Sequence, residues 1–137
     1  MIQKIAQVML YVNDPQKVAD FWIESLDFVT IYKENTQGII QIVIAPSRDS
    51  ETQFVLFERA VIEKLKPELN FGTPSILLAS QELDALYQKL QKAGVTVGKV
   101  VHRPQGRVFN FADPEGHYFA VMEEPFLLDL IDRHKKP

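Results

Sequence analysis

The chain has no cysteine, which excludes disulfides, thiolate metal sites and a thiol nucleophile. That absence agrees with a reducing compartment, and a cytoplasmic location is expected. There is no excess of positive charge: 15 Lys and Arg stand against 18 Asp and Glu, for a net −3. No basic field is therefore present to hold nucleic acid or an anionic membrane surface. Long apolar runs are missing too, and nothing approaches the roughly 20 residues of a membrane span. The start, "MIQKIAQVMLYVNDP", is interrupted by Gln3, Lys4 and Gln7. It lacks the charged, apolar, small-residue order of a signal peptide. Neither a Ser-His-Asp order, a P-loop nor a dinucleotide glycine pattern occurs.

What is present is an ordinary core-forming composition, 46% hydrophobic over 137 residues, enough for one globular domain. The periodicity predicts a strand over 3–12 and a helix over 15–26, opened by Asp14 as cap and Pro15 at its first position. Val18, Phe21, Trp22 and Leu26 fall on one face of that helix and are read as core. Three strand-like runs follow, "FVTIYKE", "GIIQIVIA" and "QFVLFE". A connector over 59–72 then holds at most one short helical turn before Pro67 and Gly72 break it.

The same order then recurs. "TPSILLAS" reads as a strand, and residues 82–93 as a helix with the stripe Leu83, Leu86, Tyr87 and Leu90. Gly94 stands where a helix end takes a left-handed residue. The runs "VTVGKVVH", "GRVFNFA" and "HYFAVMEE" complete the second half. Between the last two, Asp113-Pro114-Glu115-Gly116 forms a tight turn, so this pair is a β-hairpin. Each half is β-α-β-β-β, and "QFVLFER" at 53–59 matches "YFAVMEE" at 118–124 with an offset of 65. A repeat of this kind is expected where one unit cannot bury both faces of its sheet alone.

"VMLYVNDPQKVADFWIESLDF" together with "FADPEGHYFAVME" resembles the vicinal oxygen chelate superfamily, which includes glyoxalase I, extradiol dioxygenases, fosfomycin-resistance enzymes and bleomycin-binding proteins. The shared signs are a helix ending "FW…LDF", where relatives read "FY…LGF", and the late "DPEG" hairpin. The resemblance covers roughly residues 3–124. It implies an α+β fold, a single domain over 1–137. In it, two βαβββ modules, about 3–58 and 73–124, curl around a shared cleft and a tail of 125–137 follows. It also suggests a homodimer. Phe126, Leu127, Leu130 and Ile131 in the tail make a short apolar stripe that needs a surface to bury it, either a partner or the chain's own sheet.

Metal-using members of that family take ligands from the first and last strand of each module, as His, Glu or Gln, since divalent ions prefer imidazole nitrogen and carboxylate or amide oxygen. Carried over residue by residue, the resemblance places these four positions at Gln7, Val55, Ser75 (or Thr73) and Ala120. Only Gln7 carries a plausible donor. No metal and no other cofactor is therefore expected.

The remaining lining is expected to be apolar and aromatic with a few polar points, the usual build of a small-molecule site. Strand parity groups Ile5, Met9 and Tyr11 with Gln7, and Tyr118 and Met122 with Ala120. The expected ligand-binding residues are thus Gln7, Met9, Ser75, Asn110, Tyr118, Ala120 and Met122, with Met9 and Met122 equally readable as filling. Gln7 either serves a ligand or bonds to a neighbouring strand. His102 and Arg103 are read as a solvated loop that could reach an anionic group, and His117 as a solvated turn residue. The expected function is a metal-free protein that sequesters a small apolar or aromatic compound. The alternatives are a diverged lyase, isomerase or dioxygenase with Tyr118 or His102 as acid or base, and a structural subunit with a vestigial cleft.

Overall fold

In the computed structural model, which describes residues 1–104 and 106–124, the first helix starts where the sequence dictates. Asp14 is extended and its side chain accepts from the Lys17 amide at 3.2 Å. Pro15, which has no N–H to waste, opens the turn. Helix α1 (Pro15–Leu26) lies between strands β1 (Gln7–Val12) and β2 (Val29–Thr36). It ends on Asp27 in the left-handed region, φ 59°, a conformation that glycine adopts most readily. Asp tolerates that region better than most side chains. Strands β3 (Ile39–Ala45) and β4 (Gln53–Glu58) and helix α2 (Arg59–Leu65) follow.

The chain divides into two compact units, and the first is Met1–Thr73. Its sheet has the order β1-β4-β3-β2, with β1 parallel to β4 and the other pairs antiparallel. Alternation sends Leu10, Val12, Ile42, Ile44, Phe54 and Leu56 to one face, and all are buried. Helix α1 packs on β3 and β4 and contributes Val18, Ala19 and Trp22. Trp22 meets Phe54 edge-on at 5.2 Å and Phe28 at 4.8 Å. Phe21, expected in this core, is only half-buried.

The second unit begins at Pro74 and repeats the design: β5 (Leu77–Ser80), α3 (Leu83–Lys92), β6 (Val101–Arg103), β7 (Gly106–Ala112) and β8 (Tyr118–Glu123). Its sheet order is β5-β8-β7-β6, again with the first strand parallel to the last. Phe109, Phe111, Phe119 and Val121 are buried together with Leu83 and Leu90 of α3, and Tyr87 meets Phe109 edge-on at 5.0 Å. An Arg107 guanidinium held by Asp84 of α3 and Glu123 of β8 ties helix to sheet. The α+β class and the doubled β-α-β-β-β order are as expected from the sequence.

Several boundaries differ from the sequence reading. The first strand starts at Gln7 rather than residue 3, although Gln53 N still donates to Ala6 O. The fifth starts at Leu77 rather than 73, because pairing to β8 reaches back only to an Ala120 N to Ile76 O bond. The run 95–102 is not one strand. Val97 bridges Phe111, but the register slips by one residue before Val101 meets Val108, which interrupts the ladder. The connector's helical turn is a helix of seven residues, α2, lying against β1 and β4. The tail and its apolar stripe lie outside the described residues.

Candidate functional site

Opposite the helix-packed face, each sheet presents a second face, and the cross-strand partners define it row by row. In the first unit Tyr11, Phe57, Gln41 and Glu34 form one row, and Met9, Val55, Val43 and Tyr32 the next. A third begins with Gln7 and Gln53. The two valines at the centre are buried, whereas Met9 is 40% and Tyr32 49% exposed. An apolar middle with amides on both sides is the result.

Gln7 is engaged within this face. Its Nε2 donates to Gln53 Oε1 at 3.1 Å, so the amide has the neighbouring-strand partner that the sequence left open. At the other end of β1, Tyr11 stacks on Phe57 (6.1 Å, 19°) and meets Phe71 of the connector edge-on (4.8 Å, 71°). All three rings are half-buried. The carboxylate of Glu34, hydrogen-bonded to Tyr32, holds that phenol above its ordinary range, with partial burial acting in the same direction.

In the second unit the corresponding face carries Leu77 and Ala79 of β5, Ala120 and Met122 beside them on β8, and Asn110 and Val108 on β7. Asn110 stands directly opposite Ala120, and Tyr118 opposite Ala112. Met122 is buried, Ala120 half-buried, and Asn110 exposed, while Tyr118 is 59% and Leu77 57% exposed. The structure thus brings Asn110, Tyr118, Ala120 and Met122 onto one face. Ser75 lies off the strand, exposed, two residues before Leu77. Gln7 and Met9 belong to the first unit.

Two readings of cationic and histidine side chains change. His102 pairs with Arg107, on the helix side of the sheet, whereas Arg103 pairs with Gly106 and shares the face of Val108 and Asn110. The two cannot serve one anionic group from the same side. His117 is not simply solvated. Buried Asp113 accepts from the Glu115 and His117 amides at 2.9 Å each, and its second oxygen lies 3.4 Å from His117 Nδ1. Asp113 also accepts through its carbonyl from Gly116 N, with Gly116 at φ 83°. The hairpin motif is therefore an anchored turn that fixes the start of β8.

The sequence reading missed Phe57, Phe71, Gln53 and Gln41. Phe57 has the parity of Val55 and was legible. Phe71 sits in an irregular connector and only tertiary folding takes it to Tyr11.

The register recurs between the two sheets at the four positions that the family resemblance implies, Gln7, Val55, Ser75 and Ala120. Met9 pairs with Val55 as Leu77 pairs with Ala120, so Gln7 and Ser75 each stand two residues before the partner of the later position. Of those four, Val55 and Ala120 have no donor atom, Ser75 offers one exposed hydroxyl, and the Gln7 amide is bonded to Gln53. This donor set does not fit a divalent cation, which needs several imidazole or carboxylate ligands. Among the described residues no three His, Cys, Asp or Glu side chains are grouped so as to hold a metal ion, and no helix is long and apolar enough to cross a membrane.

The same architecture recurs in known proteins. The sequence profile of the Glyoxalase/Bleomycin resistance protein/Dioxygenase superfamily matches residues 4–121. The glutathione transferase FosA of Serratia marcescens is 28% identical over 120 residues, covering 85% of this chain and 78% of its own. The uncharacterized protein YetH of Bacillus subtilis (strain 168) is 28% identical over 129 residues, covering 90% of this chain and 100% of its own. Among solved structures, TnmS3, an antibiotic binding protein from Streptomyces sp. CB03234, has a TM-score of 0.75 at 24% identity over 89% of this chain and 96% of its own, a likeness of fold. With the doubled β-α-β-β-β order and the anchored "DPEG" hairpin, the profile match over most of its length means that this chain belongs to the Glyoxalase/Bleomycin resistance protein/Dioxygenase superfamily.

Proposed function

We propose that the protein binds a small apolar or aromatic organic molecule on these sheet faces, without a resident metal. The observation that supports this is the side-chain chemistry at Val55 and Ala120, where donor atoms would be needed for chelation and hydrocarbon stands instead. Gln7 and Gln53 on the first unit's face, and separately Asn110 on the second unit's face, supply polar points of the kind that orient a ligand in an otherwise apolar lining. Membership of the superfamily supports small-molecule chemistry in general, but a fold shared by many functions does not choose among them.

A ligand that binds only the native state raises the melting temperature, so a thermal-shift screen against metabolites and antibiotics tests the proposal. The expected result is at least one compound whose shift persists in excess EDTA. A shift that requires added zinc, nickel or manganese would overturn it. The relative named as a glutathione transferase favours a second reading, a diverged enzyme acting on a small metabolite. Consumption of glutathione together with a screened compound would select that reading. The proposal includes a cytoplasmic homodimer. Light scattering at micromolar concentration checks the dimer, and a monomer mass would reject it.

A further inference from the structure

The row Tyr11–Phe57–Gln41–Glu34 crosses the whole first sheet on one face, and its two ends differ in chemistry. One end is aromatic: Tyr11 and Phe57 lie nearly parallel, and Phe71 closes on Tyr11 from the connector. These rings are only half-buried, unlike the Trp22–Phe54 contact of the core, so part of their area is left for another surface. The other end is a carboxylate. Glu34 is exposed, and among the described residues no lysine or arginine is within ion-pair distance of it. The nearest lysine in sequence, Lys33, points to the opposite face and donates to Gln16 of α1. From Phe57 to Glu34 the row spans two interstrand spacings, about 10 Å, the length of a bicyclic ring with a short substituent.

We infer that Tyr11, Phe57 and Phe71 form a stacking platform for a planar aromatic ligand whose cationic or hydrogen-bond-donating end lies toward Gln41 and Glu34. This rests on the binding function proposed above and narrows its ligand class. Aromatic rings prefer offset or edge-to-face partners over saturated ones of the same size. A face with one carboxylate and no paired cation favours a positive ligand over a negative one.

Three probes of one skeleton separate these terms in isothermal titration: 2-naphthylmethylamine, its decahydro analogue and 2-naphthoate. The aromatic amine is expected to bind about fivefold more tightly than the saturated amine, the factor that ring-on-ring contact supplies. It is also expected to bind more tightly than the naphthoate. Tyr11→Leu and, separately, Phe71→Leu should bring the aromatic-to-saturated ratio toward one. Glu34→Gln should weaken the aromatic amine by about threefold, the scale of an exposed ion pair, and leave the ratio unchanged. Phe71→Leu lies outside the sheet, so it remains informative if Tyr11→Leu fails to fold. Equal binding of the two amines, or a ratio that ignores both variants, would overturn the platform while leaving small-molecule binding intact. Binding of none of the three probes would also overturn it, and the thermal-shift screen then decides the broader reading independently.

Discussion

The Gln7 amide on β1 donates from Nε2 to Gln53 Oε1 on β4 at 3.1 Å, so a neighbouring strand orients the one plausible metal donor among the four positions that the family resemblance implies. A divalent ion would take the Gln7 amide through Oε1, and one neutral amide oxygen with no imidazole or carboxylate beside it competes poorly with water. Purified protein should therefore contain no stoichiometric zinc, nickel or manganese by mass spectrometry, and Gln7→Ala should leave the metal content unchanged. Stoichiometric metal lost in that variant would show that the ligand positions are wrongly placed.

Installing carboxylates at the two hydrocarbon positions should have unequal costs. Val55 is fully buried and Ala120 is half-buried opposite exposed Asn110. Val55→Glu removes a charge from water with no partner and should destabilise by about 3 kcal/mol or more. Ala120→Glu can reach solvent and should cost about 1 kcal/mol. Urea unfolding of both variants measures the difference, and equal costs would contradict the burial pattern.

Acid should loosen the second unit through Arg107. Its guanidinium bonds to Asp84 at 2.9 and 3.0 Å and to Glu123 at 3.0 and 2.6 Å. Those bonds hold both carboxyls below their ordinary values of 3.8 and 4.5, against the opposing effect of desolvation. A carboxyl depressed in the folded state contributes stability in full above its unfolded value, and the contribution is lost as pH falls through the folded value. The stability difference between the parent and Arg107→Met should thus be constant near neutral pH and shrink as pH drops below about 4.5. A difference independent of pH in chemical unfolding would rule this out.

The hairpin at 113–117 should be sensitive to its aspartate. Asp113 Oδ1 accepts two backbone amides in a buried setting. Asp113→Ala leaves both without that acceptor and should cost about 2 kcal/mol. It should also speed amide exchange at Glu115 and His117, which NMR would read. Unchanged exchange would mean that the turn does not depend on the side chain.

Local chemistry was legible in the sequence wherever short-range rules decide. Asp14-Pro15 set the start of α1, the 3.6-residue stripe set Trp22 as core, and "DPEG" set the turn before β8. Strand parity likewise assigned Met9, Tyr11, Ala120 and Met122 to the faces they occupy. Edge positions were less legible, because β1 and β5 each have a single neighbour, and the β5 pairing to β8 begins only at Leu77 and Ala120. Ser75 therefore lies before the paired segment, although β8 itself runs back to Tyr118.

The sequence by itself determined the element order, the repeat and the side-chain types at the four family positions, since these depend on residue identity and on contacts a few places apart. Tertiary structure alone decided that Gln7 bonds Gln53, that Phe71 turns back onto Tyr11, and that pairing to β7 extends β6 to Arg103 and so sets His102 and Arg103 on opposite faces. Each of these depends on cross-strand register or on the path of a connector. Register is fixed only when whole strands pair and bury one face together, since a slip of one residue would turn every side chain to the other side.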